Sequence, residues 1–297
     1  MIDRTEETVR ARSRPNADHH QKNPMKRSDI YPHRIAATGF SVVELLVVIA
    51  MVLVLVGLLV GGLATARFRA RVTVCANHFR QWGIAANLYA QEDRQQRLPS
   101  FPLPLEKFAN KRYGDLAPWF VSLQMGTNLS AYGVSLPLWF CPAKRNGRGF
   151  QLANEHFKAR HPGQTLATVE ELTEVWREQA EFFGAIDYCW WVPRPLTGST
   201  EVYPDPKLCR SRVPDGWPTR LEDPAGASQP ILTDWALGSW NDDLTDVEIQ
   251  EGNGGHEFPA YRTVRSLNAL FVDGRVETRK RKELNWQIQT GRHAVLY

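Results

Sequence analysis

The chain has 297 residues, 43% of them hydrophobic, enough for one large domain or two small ones with a real core. Its formal charge is +4, but residues 1 to 39 hold eight Lys/Arg against five Asp/Glu and carry +3 of it. The remainder is nearly neutral, whereas a nucleic-acid binder is expected to keep its positive charge on the folded part, so no nucleic-acid partner is expected.

The first 39 residues are polar, with apolar residues standing singly, and too little can be buried to offset chain entropy; disorder is predicted. His19 and His20 are adjacent, but without further ligands nearby they read as tail histidines. The segment GFSVVELLVVIAMVLVLVGLLVGGLATAR follows from Gly39, and Leu45 to Ala64 are twenty residues without a charge. As a helix they span about 30 Å, the hydrocarbon thickness of a bilayer. The run is longer than the apolar region of a cleaved secretory signal, so a single membrane-spanning helix is predicted over residues 40–64. Lys22, Lys26, Arg27 and Arg34 precede it and Arg67, Arg69, Arg71 and Arg80 follow, so charge leaves orientation open. Glu44 is what a plain anchor does not explain. An ionised carboxylate drawn into hydrocarbon costs about 2.5 to 3.5 kcal/mol and normally has a partner.

Past the span, Phe68, Val72, Cys75, Phe79, Trp82, Ala86 and Tyr89 recur at alternating spacings of four and three. That stripe predicts a helix continuing from Phe40 to about Gln95, before Pro99 and Pro102. Packing of residues 65–97 on the chain's own globular domain is expected, with a coiled-coil partner as the alternative. Within residues 98–297 the spacing predicts short elements. GDLAPWFVSLQMG reads as a helix capped by Asp115, and PLWFCP as a strand ending at Pro142. Thr168 and Glu171 form a capping box before a helix with Val169, Leu172, Trp176, Ala180 and Phe183 on one face, stopped by Gly184. AIDYCWWVP, QPILTDWAL and SLNALFVDGRVETRK read as strands, the last a hairpin with Asp273-Gly274 as a two-residue turn. ELNWQIQ reads as a short terminal helix. The fold class is α+β: a long N-terminal helix on a small antiparallel sheet, with an insertion at about 143–230.

Four cysteines, Cys75, Cys141, Cys189 and Cys209, form an even set that suits disulfides in an oxidising compartment, with three pairings open. No pair has C-x-x-C spacing, which argues against zinc or thioredoxin-like chemistry. Asp234 and His256 suggest an acid–base pair, but nothing in the sequence orients them on a nucleophile. No G-x-S-x-G, H-E-x-x-H or phosphate-binding loop is present, so no catalytic residue and no enzyme activity is predicted. The ten tryptophans are expected mainly in the core rather than on a carbohydrate platform.

Gly39, Phe40, Glu44 and LLVVIA from Leu45 to Ala50 together resemble the N-terminus of type IV prepilins and type II secretion pseudopilins. The resemblance implies a pilin-like fold and cleavage between Gly39 and Phe40 by a prepilin peptidase on the cytoplasmic side. It also implies N-methylation of Phe40, and a role for Glu44 in aligning subunits by countering the freed ammonium. The implied location is a bacterial inner membrane with the C-terminal domain extracytoplasmic. The implied partners are the peptidase, other pilin-like subunits and a secretion or pilus assembly platform. The implied leader, residues 1–39, is longer than usual; a start at Met25 leaves 15 residues.

NALFVDGRV is similar to the C-terminal His-x9-Asp-Gly signature of one large pilin-like family. Asn268, Leu270, Phe271, Asp273, Gly274 and Val276 match it. CANHFRQWGIAANLYAQED, FCP at Phe140 to Pro142 and EDPAGASQPILTDWA, ending its pattern at Asp234, are further similar features in the same order. The chain departs where the signature has His: that position is Thr263, and the nearest histidine is His256. Asp273 is read as a turn residue. The resemblance favours pairing Cys75 with Cys141, leaving Cys189 with Cys209 by default. Some pseudopilins hold calcium in a late loop, which makes Asp242, Asp243 and Asp246 a calcium candidate; their spacing does not match an EF-hand, and a solvated acidic loop is expected, with no cofactor or metal. Three readings stand: a pilin-like structural subunit, a membrane-anchored module binding polysaccharide, protein or DNA, and a membrane-anchored enzyme. The large insertion favours a minor or specialised subunit.

Overall fold

The computed structural model describes residues 39–107, 116–144, 148–240, 247–258, 263–291 and 293–297. The leader up to residue 38, Asp115, and the calcium candidates Asp242, Asp243 and Asp246 lie outside the described residues. The chain divides into two units, Met1–Val54 and Leu55–Tyr297.

Helix α1 runs from Val42 to Glu92. It is capped by Ser41, which accepts from the Leu45 N–H through its carbonyl (3.1 Å) and from the Val43 N–H through its hydroxyl (3.3 Å). The Glu44 carboxylate in turn accepts from the Ser41 N–H at 2.8 Å. The described large apolar side chains between Leu45 and Leu63 are 44% to 74% exposed. An apolar surface on every side of a helix is what a lipid environment requires. This helix is long and apolar enough to cross a membrane.

From Val72 onward the helix is one-sided, as the stripe predicts. Cys75, Phe79, Trp82 and Ala86 are buried, with Val72 and Tyr89 packed partly against the same core. The helix thus docks on the chain's own domain. Its partners follow in chain order: strand β1 (Phe120–Ser122), α2 (Leu123–Ser130), α3 (Arg148–Arg160), α4 (Val169–Ala180), β2 (Phe183–Ala185), β3 (Tyr188–Trp190), β4 (Arg194–Pro195), β5 (Val202–Tyr203) and β6 (Leu232–Asp234). Then come β7 (Ala236–Trp240), β8 (Val247–Gly254), β9 (His256–Phe258), β10 (Thr263–Leu270), β11 (Val276–Lys280), β12 (Trp286–Thr290) and β13 (His293–Leu296).

The molecule is α+β, but its strands form two main antiparallel sheets rather than a single small one. One has the order β11-β10-β6-β3, with β9 pairing the first half of β10; the other has the order β12-β13-β7-β8. Helix α1 lies on the first. Phe79 meets Tyr188 edge-on at 5.1 Å, and Trp82 sits 4.9 Å from Trp139 and 5.6 Å from Trp190. A Cβ added at Gly83 would come within 3.0 Å of Leu270, so glycine there sets how closely helix and strand approach.

Five local expectations are corrected. The helix expected behind Asp115 starts later, capped by Ser122, whose hydroxyl accepts from Gln124 at 3.3 Å; the residues before it form β1. Leu136–Trp139, expected as strand, is a 3-10 turn with Pro137 in its first turn, where proline's fixed φ suits a helix start. The Thr168–Glu171 capping box is present, but its helix stops at Ala180, and Phe183 and Gly184 belong to β2. Trp176 occupies the space where a Gly184 side chain would be. The β10–β11 turn is a three-residue loop, Val272–Gly274, with Phe271 facing Arg275 and Gly274 at φ +81°. ELNWQIQ is not helix: Trp286–Thr290 is strand, drawn into the second sheet by β13.

Candidate functional site

Two places hold the residues singled out in the sequence. At the start of α1, Phe40 is 73% exposed and Gly39 has open space around it. Glu44 faces back across one helical turn onto the Ser41 N–H, so its carboxylate sits one residue from the Phe40 nitrogen. Part of Glu44 is therefore explained locally, by its cap.

The second place is buried. The fold converges Cys75 from α1, Cys141 from the loop after the 3-10 turn, Asp234 from the end of β6 and His256 from the start of β9. One ligand atom from each lies within 4.8 Å of the others. Their exposures are 0%, 1%, 1% and 0%. The Cys75 and Cys141 Sγ atoms are 3.4 Å apart, and Cys75 Sγ is 3.4 Å from Asp234 Oδ1. His256 Nε2 is 2.9 Å from Asp234 Oδ2.

Each member is fixed from behind. Cys141 donates its backbone N–H to buried Asp187 at 3.2 Å, and Asp187 is held by Lys144 at 2.9 Å. Trp82 of α1 donates to the Leu138 carbonyl at 2.7 Å, securing the same turn. Asp234 Oδ2 accepts from the Asn268 N–H at 2.8 Å, and His256 Nδ1 pairs with Ser266 Oγ at 3.0 Å. His256 reaches the core because the chain turns sharply before it. Gly254 and Gly255 have φ of +110° and +67°, and a Cβ on Gly254 would collide with the Trp235 carbonyl. A bulge in β10 between Val264 and Ser266 then sets Ser266 opposite His256.

The electrostatics follow from burial and proximity. Burial pushes the Cys75 thiol well up, and its Cys141 and Asp234 neighbours push it further. Burial also opposes ionisation of Cys141, but hydrogen bonds from Cys75 and His256 leave it below its ordinary value. Burial disfavours the His256 imidazolium, yet the Asp234 carboxylate and the Cys141 sulfur outweigh it and raise His256 to about 10. Asp234 and His256 thus do form a pair, and a sulfur lies beside it. Every member is at most 1% exposed, so the sulfur has no open approach in this structure. Four donors of this kind can hold an ion.

The other candidates have structural places. All four cysteines are thiols; Cys189 and Cys209 belong to the same apolar cluster without a bond between them. Burial raises Cys189 well above its ordinary value and Cys209 to about 12. Thr263, which stands where the signature has histidine, begins β10 opposite Phe258. Asn268 is fully buried and touches the cluster directly. Phe271 is core, under the Arg275 guanidinium at 4.0 Å. Asp273 shapes its turn by accepting from the Arg275 N–H at 2.9 Å. Six of the ten tryptophans, Trp82, Trp139, Trp176, Trp190, Trp191 and Trp217, are 3% exposed or less, as expected of core.

Sequence reasoning missed the four-residue cluster because it looked for ligands close along the chain. Cys75 and Asp234 are 159 residues apart. Comparison of the chain with protein-family models, with curated proteins and with solved structures finds no match.

Proposed function

We propose that this chain is a pilin-like subunit of a type II secretion or type IV pilus-like system, cut between Gly39 and Phe40 and assembled through its N-terminal helix. What carries the reading is the division of α1. Residues 45–64 are apolar on every side and unburied, while Cys75 to Ala86 bury one face on an antiparallel sheet. A helix made only to anchor a domain can cap its first turn with an uncharged side chain and has no need of a charge at its membrane edge. A helix that packs beside copies of itself does.

Cleavage supplies the partner. The cut frees an ammonium at Phe40, about 3.8 Å in Cα spacing from Ser41, whose N–H the Glu44 carboxylate already accepts at 2.8 Å. In an apolar setting that ammonium and carboxylate need each other, within one subunit or between neighbours. The chain then works by assembly rather than turnover, with the prepilin peptidase, other pilin-like subunits and the assembly platform as partners. Its site is a bacterial inner membrane with the C-terminal unit extracytoplasmic. The helices α3 and α4, carried in the 143–230 insertion, suit a specialised subunit.

The cap gives this reading a sharp test, because glutamine caps a helix as glutamate does but carries no charge. Glu44→Gln and Glu44→Ala are both expected to insert and to be cut normally. Both are expected to lose at least tenfold in copy-to-copy cross-linking along the helix. Breaking one side of a buried ion pair costs about 3–5 kcal/mol. If Glu44→Gln assembles like the unaltered chain, the carboxylate serves only its cap and the assembly role is wrong.

A further inference from the structure

We propose that Cys75, Cys141, Asp234 and His256 form a closed Zn²⁺ site that ties helix α1 to the sheet beneath it. This is independent of the assembly reading.

The donor set points to the ion. Two thiol sulfurs, one imidazole nitrogen and one carboxylate oxygen make a mixed sulfur, nitrogen and oxygen shell that suits tetrahedral Zn²⁺ and does not suit Mg²⁺ or Ca²⁺. The dimensions agree. Zn–S bonds of about 2.3 Å at the tetrahedral angle place two sulfurs about 3.8 Å apart, and Zn–N and Zn–O bonds of about 2.0 Å place those atoms about 3.3 Å apart. The corresponding separations are 3.4 Å between the sulfurs and 2.9 Å between His256 Nε2 and Asp234 Oδ2. The side chains need only withdraw by a few tenths of an ångström to admit the ion. A disulfide would instead require the sulfurs to close to about 2.05 Å.

The surroundings have the form of a second shell. Ser266 Oγ, 3.0 Å from His256 Nδ1, can accept a hydrogen bond from Nδ1–H and leave the Nε2 lone pair facing the cluster. The Asn268 N–H holds Asp234, and Asp187 holds the Cys141 backbone. All four ligands come from protein and all are buried, which describes a structural site with no open position for substrate. The segments that carry the sequence resemblance, around Cys75, Cys141, Asp234 and Asn268, meet at this one point. With Thr263 at the signature position, the β9 hairpin delivers the histidine from His256.

The test is to purify the full-length chain in detergent under reducing, chelator-free conditions and supply Zn²⁺ alone. One zinc per chain should survive desalting. His256→Ala and Cys141→Ser should retain less than a tenth of that, and Cys189→Ser should retain all of it. Since the first two change buried residues, the unaltered chain is also loaded with Co²⁺. It should show the visible bands of tetrahedral, thiolate-ligated cobalt. Absence of retained zinc and of those bands overturns the proposal. So does a chain taken directly from membranes whose mass, before reduction, is two hydrogens lighter with Cys75 and Cys141 joined.

Discussion

Residues 45–64 and residues 75–90 belong to one helix, yet they answer to different surroundings. The first stretch carries no charge and repeats no face; its large side chains are exposed all round. The second has an apolar stripe on one side and polar residues such as Asn77, Arg80 and Gln81 on the other. Helical propensity does not separate them, since both are helix. The number of apolar faces does: one face suits a protein neighbour, and an unbroken apolar surface suits lipid. The same difference extends to polar groups. The first stretch has Glu44 at its margin, held by the helix's own backbone. The second delivers Cys75 into a buried cluster whose other members come from far along the chain.

The comparison breaks most visibly if substitutions fail to act on their own region. Trp82→Ala removes a side chain packed between Trp139 and Trp190 and should lower the unfolding free energy of the Leu55–Tyr297 unit by about 3–5 kcal/mol. Chemical denaturation in detergent measures it, and membrane extraction should be unchanged. Val54→Arg, near the middle of the apolar run, should do the opposite. A central arginine disfavours insertion by about 2.5–3.5 kcal/mol, read as a fall of roughly one hundredfold in the inserted-to-uninserted ratio, with the denaturation midpoint preserved. If Trp82→Ala releases the chain from the membrane, the two regions are not separate in their roles.

A smaller effect sharpens the contrast in polar content. Without metal, His256 is raised in the folded state to about 10 from its ordinary value near 6.5. A raised histidine contributes stability in full below the unfolded value and loses it as pH rises toward the folded one. Metal-free protein should therefore weaken from about pH 6.5 upward, by at most about 1.4 kcal/mol per pH unit for one proton. With zinc bound the imidazole stays neutral as a ligand and this decline should vanish. Denaturation midpoints at pH 7 and 8.5, with and without zinc, measure both halves of the prediction.

Local signals in the sequence were legible where the chain itself supplies both partners. Thr168 and Glu171 satisfy each other's backbone donors within one turn, so their capping box needs no tertiary context. The stripe from Val72 to Tyr89 was legible for the same reason, since helical spacing alone defines its face. Reading failed where a distant partner decides. Trp286–Thr290 carries helix-compatible residues and becomes strand because β13 supplies its ladder. The last residues of the α4 pattern gave way because Phe183 and Gly184 pair with Ser122 and Val121 of β1. The cluster at Cys75 was hidden most completely: its members are ordinary residues whose meaning lies in a distance of a few ångströms.

The most direct test of the account is the N-terminus of the mature chain, read by intact mass and N-terminal peptide analysis of protein taken from its native membrane. A chain beginning at N-methylated Phe40 is the predicted result, and it would supply the ammonium that Glu44 is proposed to meet. A chain that still carries residues ahead of Phe40 would contradict the proposal, and would leave Glu44 a helix cap on a membrane anchor.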